Sequence, residues 1–199
     1  MFMNQHTLFR HGQPLDVPNP GCSNANPAGI GFWALVAEDF ATHDRDFFAQ
    51  GFWALFWHRF GNWRMGIRTR VLRLPFSLLY KVMFKACEWF GGIMLPYTTY
   101  VGRRVKLEHF GGMVLVAQAI GNDVIIRQNT TFGIASKDHC DNRPMIGDHA
   151  DIGAGAVVVG KVVVGPHATV GANAVVTQDL PAHCVAGGVP ARVLKIKNT

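Results

Sequence analysis

The chain has 199 residues, 49% of them apolar and only 16% charged, with a formal net charge of +6. Such a composition excludes a disordered chain, and 22 glycines without a triplet period exclude a collagen-like rod. The positive balance favours anionic partners: phosphates, a nucleotide, acidic glycans, a membrane surface or nucleic acid.

Residues 1–30 are rich in Pro, Gly and Asn and predict a flexible N-terminal arm. They lack the basic-then-apolar design of a signal peptide. Residues 31–92 predict a small helical domain. Apolar clusters at Phe32, Trp33, Leu35 and Val36, then at Phe52, Trp53, Leu55 and Phe56, mark two helices. The polar run Thr42-His43-Asp44-Arg45-Asp46 separates them, and Gly61-Asn62 predicts a break. Residues 67–90 predict one or two more helices, with Pro75 near the start of the second and Gly91-Gly92 at the end. The most apolar stretch, Leu74 to Leu95, is interrupted by Lys81, Lys85 and Glu88, so no membrane-spanning helix is expected. Cys22, Cys87, Cys140 and Cys184 lie far apart, and no Cys/His cluster has zinc-ligand spacing. Reduced thiols in a cytoplasmic protein, and no metal, are expected.

Residues 93–199 change character. Apolar residues recur every sixth position at Leu95, Val101, Leu107 and Met113, then after one extra residue at Ile120, Ile126 and Phe132, then at Ile146, Ile152, Val158, Val164, Val170 and Val176. Glycine often follows, and a small residue or Val often stands four positions on, as at Ala150, Ala156, Val162, Ala168 and Ala174. A period of six matches neither a helix nor a plain strand. It matches a three-sided prism in which each hexad makes one side and three make a coil. Thirteen positions predict about four coils. Two irregularities interrupt the repeat: the extra residue after Met113, and a loop at about 134–145 that should protrude from a prism edge.

The segments LEHFGGMVLVAQAIGNDVIIRQNTTFG, IGDHADIGAGAVVVGKVVVGPHATVGANAVV and the closing GGVPARVL resemble the serine acetyltransferases among the hexapeptide-repeat acyltransferases. EDFATHDRD and GFWALFWHRFGNW resemble the end of that family's helical domain, so the resemblance runs from near Phe32 to near Lys195. The HFGG and HRFGNWRMG segments look most like members associated with exopolysaccharide synthesis. The resemblance implies a mainly β fold, a left-handed parallel β-helix behind a small helical domain. It implies transfer of an acetyl group from acetyl-CoA to a hydroxyl, without a metal. His109 matches the general base, a role that an imidazole suits at neutral pH.

Some neighbours depart from the family pattern. Glu108 stands where Asp usually precedes the histidine. Met94 aligns with the carboxylate that orients the imidazole, and a thioether cannot accept as a carboxylate does. Arg143 is retained in Asn142-Arg143-Pro144 and could hold a carboxylate or an acidic sugar, but the family's adjacent histidine is absent. The aspartate that grips the serine amine aligns with Glu38 or Asp39. Positions matching the CoA contacts are Thr131, Gly133, Ala154, Ala172, Pro190 and Arg192, although small residues also suit tight corners. The altered neighbours favour a sugar hydroxyl of an exopolysaccharide pathway as acceptor, with Glu108, Arg143 and Asp39 facing it. Serine O-acetylation for cysteine synthesis is the alternative, and a catalytically idle scaffold a third reading. The family implies a homotrimer or a dimer of trimers.

Arg59, Arg64, Arg68, Arg70, Arg73, Lys81 and Lys85 lie among aromatic residues. One reading is peripheral contact with the inner face of a membrane. The other is helix packing by the aromatics, with solvated arginines. No nucleic-acid motif accompanies the charge, and no nucleic-acid partner is expected.

Overall fold

Six-residue spacing becomes a triangular prism in the computed structural model, which describes residues 9–10, 13–14, 21–135 and 142–197. The first side stacks β3 (Ile93–Met94), β6 (Met113–Leu115), β9 (Thr131–Gly133), β12 (Val157–Val159) and β15 (Val175–Val176). The second stacks β4 (Tyr100–Val101), β7 (Ala119–Ile120), β10 (Met145–Ile146) and β13 (Val163–Val164). The third stacks β5 (Lys106–Glu108), β8 (Ile125–Arg127), β11 (Asp151–Ile152), β14 (Thr169–Val170) and β16 (Cys184–Gly187), and β17 (Arg192–Ile196) returns antiparallel along β16. All other ladders of the prism are parallel, so each coil takes its backbone hydrogen bonds from its neighbours. Ahead of the prism, a short ribbon pairs β1 (Phe9–Arg10) with β2 (Gln13–Pro14). Most of the expected arm, and positions 136–141 of the expected protruding loop, lie outside the described residues.

All thirteen apolar positions of the period are at most 4% exposed. The small residues Ala150, Ala156, Val162, Ala168 and Ala174 are buried with them. Corners turn on residues with positive φ: Arg104, Asp123, His149, His167 and His183 at one, Asn129, Gly155 and Asn173 at another. Asn, Asp and His tolerate this conformation better than most side chains.

Two expectations about the repeat need correction. There are five coils rather than about four. The fifth is completed by Leu180, bridged to Val164, and by Ala186 beneath Val170; Leu180 follows Val176 by four residues rather than six, which shifts both out of the phase of the period. Nor does one extra residue follow Met113. Leu115, not Met113, pairs in the column of Phe132, Val158 and Val176. Leu115 stands eight residues after Leu107, and Ile120 five after Leu115. The insertion is therefore two residues and falls before Met113, at the corner that carries His109.

The helical domain comprises α1 (Phe32–Thr42), α2 (Gln50–Trp63), a 3₁₀ turn (Arg64–Gly66) and α3 (Arg70–Gly91), which Gly92 ends at φ 62°. Gly61-Asn62 does not break the chain but lies inside α2. Gly61 is there for proximity: a β-carbon on it would stand 2.5 Å from the Tyr80 ring. Residues 70–91 form one helix with Pro75 inside it. Arg59 and Arg64 are not solvated. Arg59 is wholly buried, donating to the Asp39 carboxylate (2.9 and 3.4 Å) and to the carbonyls of Val101 and Gly102 (2.6 Å each). One side chain thus rivets α1 and α2 to the first coil. Arg64 lies between the rings of Tyr80 and Tyr97, 4.6 and 4.5 Å from their centroids.

Candidate active site at the seam of helices and prism

Where the α1–α2 link meets the first coil, a cavity of about 390 Å³ opens. His43, Asp44 and Asp46 line it from the link, Gln50 and Gly51 from α2, and Lys106 to Phe110 from β5 and the following corner. The approach is close because Gly51 has no side chain: a β-carbon there would lie 2.5 Å from the Leu107 carbonyl oxygen.

His43 ties the seam. Its Nδ1 lies 2.8 Å from the Asp39 carbonyl oxygen, and its Nε2 lies 3.2 Å from the Leu107 amide nitrogen. The carbonyl can only accept, so Nδ1 carries the proton and Nε2 accepts from Leu107. Burial lowers the His43 pKa against the raising effect of the Asp39 carbonyl and charge. A neutral ring is what both bonds require.

His109 sits at the bulged corner with φ 58°, exposed and facing the cavity. It stands two residues past Leu107, as Gln128 stands past Ile126, Ala154 past Ile152 and Ala172 past Val170, and these inward residues pair in register. The corners below close in a regular way: Gly155 donates to the Gln128 carbonyl and Asn173 to the Ala154 carbonyl. In the first coil Asn129 donates to Gly111 instead of His109. The two inserted residues thus push His109 out of line and into the cavity. Among the described residues no hydrogen bond reaches its ring, and half-buried Met94 on β3 supplies no strong acceptor.

Charge around His109 is mixed. Lys106 bonds Asp44 at 2.8 Å, which raises the lysine pKa and lowers that of Asp44. Half-buried Glu108 lies 3.3 Å from Arg127 and 3.8 Å from Lys106. Asp46 accepts from the Phe48 amide at 2.8 Å. The cavity therefore offers carboxylates for a cation and an ammonium for an anion beside the His109 imidazole.

The other expected residues are distributed as follows. Asp39, expected at the acceptor, is fully buried and committed to Arg59, so it does not line the cavity; Glu38 is bonded to Arg103 and Arg104. Arg143 lies at the far edge of the first side, where its Nη1 donates to the Thr98 carbonyl at 3.3 Å, and does not join His109 within one chain. Ala154 and Ala172 share the corner below His109, and Thr131 and Gly133 lie on the adjoining first side. Pro190 follows a cis peptide bond beside β15, next to Ala191, which donates to Val175. Arg192 is exposed at the start of β17. The strip spans the coils below His109, about 19 Å at four strand spacings. Alignment missed His43, Asp44, Asp46 and Lys106, although the polar run between the first two helices was the visible signal for three of them.

A stack of hexapeptide coils with an exposed histidine on a bulged corner defines a hexapeptide-repeat transferase. The family profile "Bacterial transferase hexapeptide (six repeats)" matches residues 143–178. The serine acetyltransferase of Bacillus subtilis is 30% identical over 168 residues, covering 82% of this chain and 77% of that protein. The chain belongs to the serine acetyltransferase family. That of Escherichia coli K12 is 35% identical over 148 residues, 74% of this chain and 52% of its own, so the chain spans about half the length of that relative. Among solved structures, soybean serine acetyltransferase complexed with serine has a TM-score of 0.68 at 27% identity, covering 82% of this chain and 69% of that one. A serine acetyltransferase complexed with CoA has a TM-score of 0.62 at 27% identity, covering 80% and 68%.

Proposed function

We propose that the protein is an acetyl-CoA-dependent O-acetyltransferase whose acceptor is serine. The observation that carries this reading is the cavity that sets His109 beside Asp44, Asp46, Glu108 and Lys106. An amino acid has an ammonium and a carboxylate, and this cavity holds partners for both. The names of the matched relatives support serine over the sugar acceptor that the altered neighbours favoured.

In this mechanism His109 takes the proton of the acceptor hydroxyl as its oxygen attacks the thioester carbonyl. A C–O bond forms and the C–S bond breaks. The proton passes from His109 to the departing CoA thiolate, leaving free thiol and acetyl ester. The acetyl donor lies along the strip of Thr131, Ala154, Ala172 and Pro190, where small side chains let an extended chain approach the backbone. Sharing of that strip between adjacent prisms would make the assembly a trimer or a dimer of trimers.

Release of CoA, followed with a thiol reagent, tests the reading. L-serine, nucleotide sugars and polysaccharide fragments are compared, with His109→Ala as control. Turnover with serine that the substitution abolishes is expected. Turnover with a glycan alone overturns serine as acceptor, and no release with any acceptor leaves the idle scaffold.

A further inference from the structure

We propose that α3 is an in-plane anchor that docks the protein on an anionic lipid surface. The inward face of this 22-residue helix is accounted for, with Tyr80 and Gly91 buried. The opposite face is apolar as well. Val71, Leu78, Val82 and Trp89 recur at intervals of seven, four and seven and form one stripe, 78%, 64%, 58% and 77% exposed. Leu72, Leu79 and Phe90 form the adjoining row, also exposed. No helix among the described residues is long and apolar enough to cross a membrane, so α3 would lie on a bilayer rather than span it.

Charge selects the occupant. Exposed Arg70, Lys81 and Lys85 run along the flank of the apolar stripe, and the helix has one acid, Glu88, already bonded to Lys85. An apolar stripe flanked by cations complements anionic headgroups above acyl chains. It complements a second copy of itself poorly, since pairing two such faces gathers like charges with few acids to balance them. The stripe includes Trp89, whose amphipathic ring suits the headgroup level. Immediately beyond, the Gly91 carbonyl accepts from Gly111 and the Gly92 carbonyl from Met113. The docked helix would therefore be bonded directly to the corner that bears His109.

Flotation of the full chain with vesicles tests the proposal. Vesicles of equimolar phosphatidylglycerol and phosphatidylcholine are compared with phosphatidylcholine alone, at low and high salt. Binding to the anionic vesicles, weakened by salt and about tenfold lower for Leu78→Glu/Val82→Glu, is expected. Both substituted side chains point outward, so circular dichroism and turnover with soluble acceptor should match the parent. Equal binding to both vesicle types, no binding to either, or unchanged binding by the variant overturns the proposal. So does a variant that loses oligomeric mass in light scattering while the parent ignores vesicles, which would assign the face to a second copy.

Discussion

The helical domain and the prism bury their residues in opposite ways. The prism core is a continuous column of Leu, Ile, Val, Phe, Met and Ala, with polar groups kept to the corners. The helical domain encloses Asp39, His43, His58, Arg59, Asn62 and Arg64 and leaves Trp33, Phe48, Leu78 and Trp89 outside. Repetition explains the first: every coil covers the next, so apolar contact alone completes the core. Three helices on one end of a prism cannot close a core of their own. They are held by directional bonds to the first coil, such as Arg59 to Val101 and Gly102, and His43 to Leu107. The candidate site lies where these two kinds of construction meet.

The strongest way to break this contrast is Asp39→Ala. It would leave the Arg59 charge buried without its partner and should cost about 3–5 kcal/mol in urea unfolding. A variant of normal stability with weakened acceptor binding would instead return Asp39 to the acceptor. His109→Ala should lower turnover by a factor on the order of 100 or more. Its stability should fall by no more than about 1–2 kcal/mol, because the side chain is exposed and only the strain of alanine at positive φ is added. Unchanged turnover would remove His109 as the base.

Acid should loosen the helical side of the contrast. Burial, reinforced by the charge of Arg59, pushes the His58 pKa down to about 3, and burial also lowers that of His43. Both are neutral in the folded protein, whereas the unfolded chain binds protons as pH falls below about 6.5. Their contribution is complete above that pH and is lost progressively from 6.5 towards 3. His58→Gln keeps a donor for the Thr99 carbonyl and should flatten this limb by up to about 1.4 kcal/mol per pH unit, read from urea unfolding at a series of pH values. An unaltered slope would mean that His58 is not buried neutral. The smallest effect is expected inside the prism. Ile152→Val should cost about 0.5–1.5 kcal/mol with turnover preserved, since neighbouring coils can settle around one lost methyl.

The repeat was legible because an inward position must be apolar whichever coil it belongs to. Met113 was misplaced in the column because Met113 and Leu115 are two apart and both point inward, and only the pairing of Leu115 with Phe132 separates them. Asp39 was misassigned for a similar reason. Counting along a helix cannot tell which acid meets an arginine 20 residues on. His43, Asp44 and Asp46 stood out as a polar run, but nothing local joins them to His109, more than 60 positions away.

Hexad spacing was therefore enough to dictate the prism, and its last strongly regular stretch from Ile146 to Val176 left no other period to choose. The motif around His109 pointed to a transferase through likeness to a family. Docking of the helices decided the rest: which carboxylates face the histidine, which arginines are buried and which apolar face of α3 remains uncovered. Solenoid contacts are made between neighbouring repeats, so they leave a period in the chain. Contacts across the seam join residues distant in sequence, and they exist only once the helices have packed on the first coil.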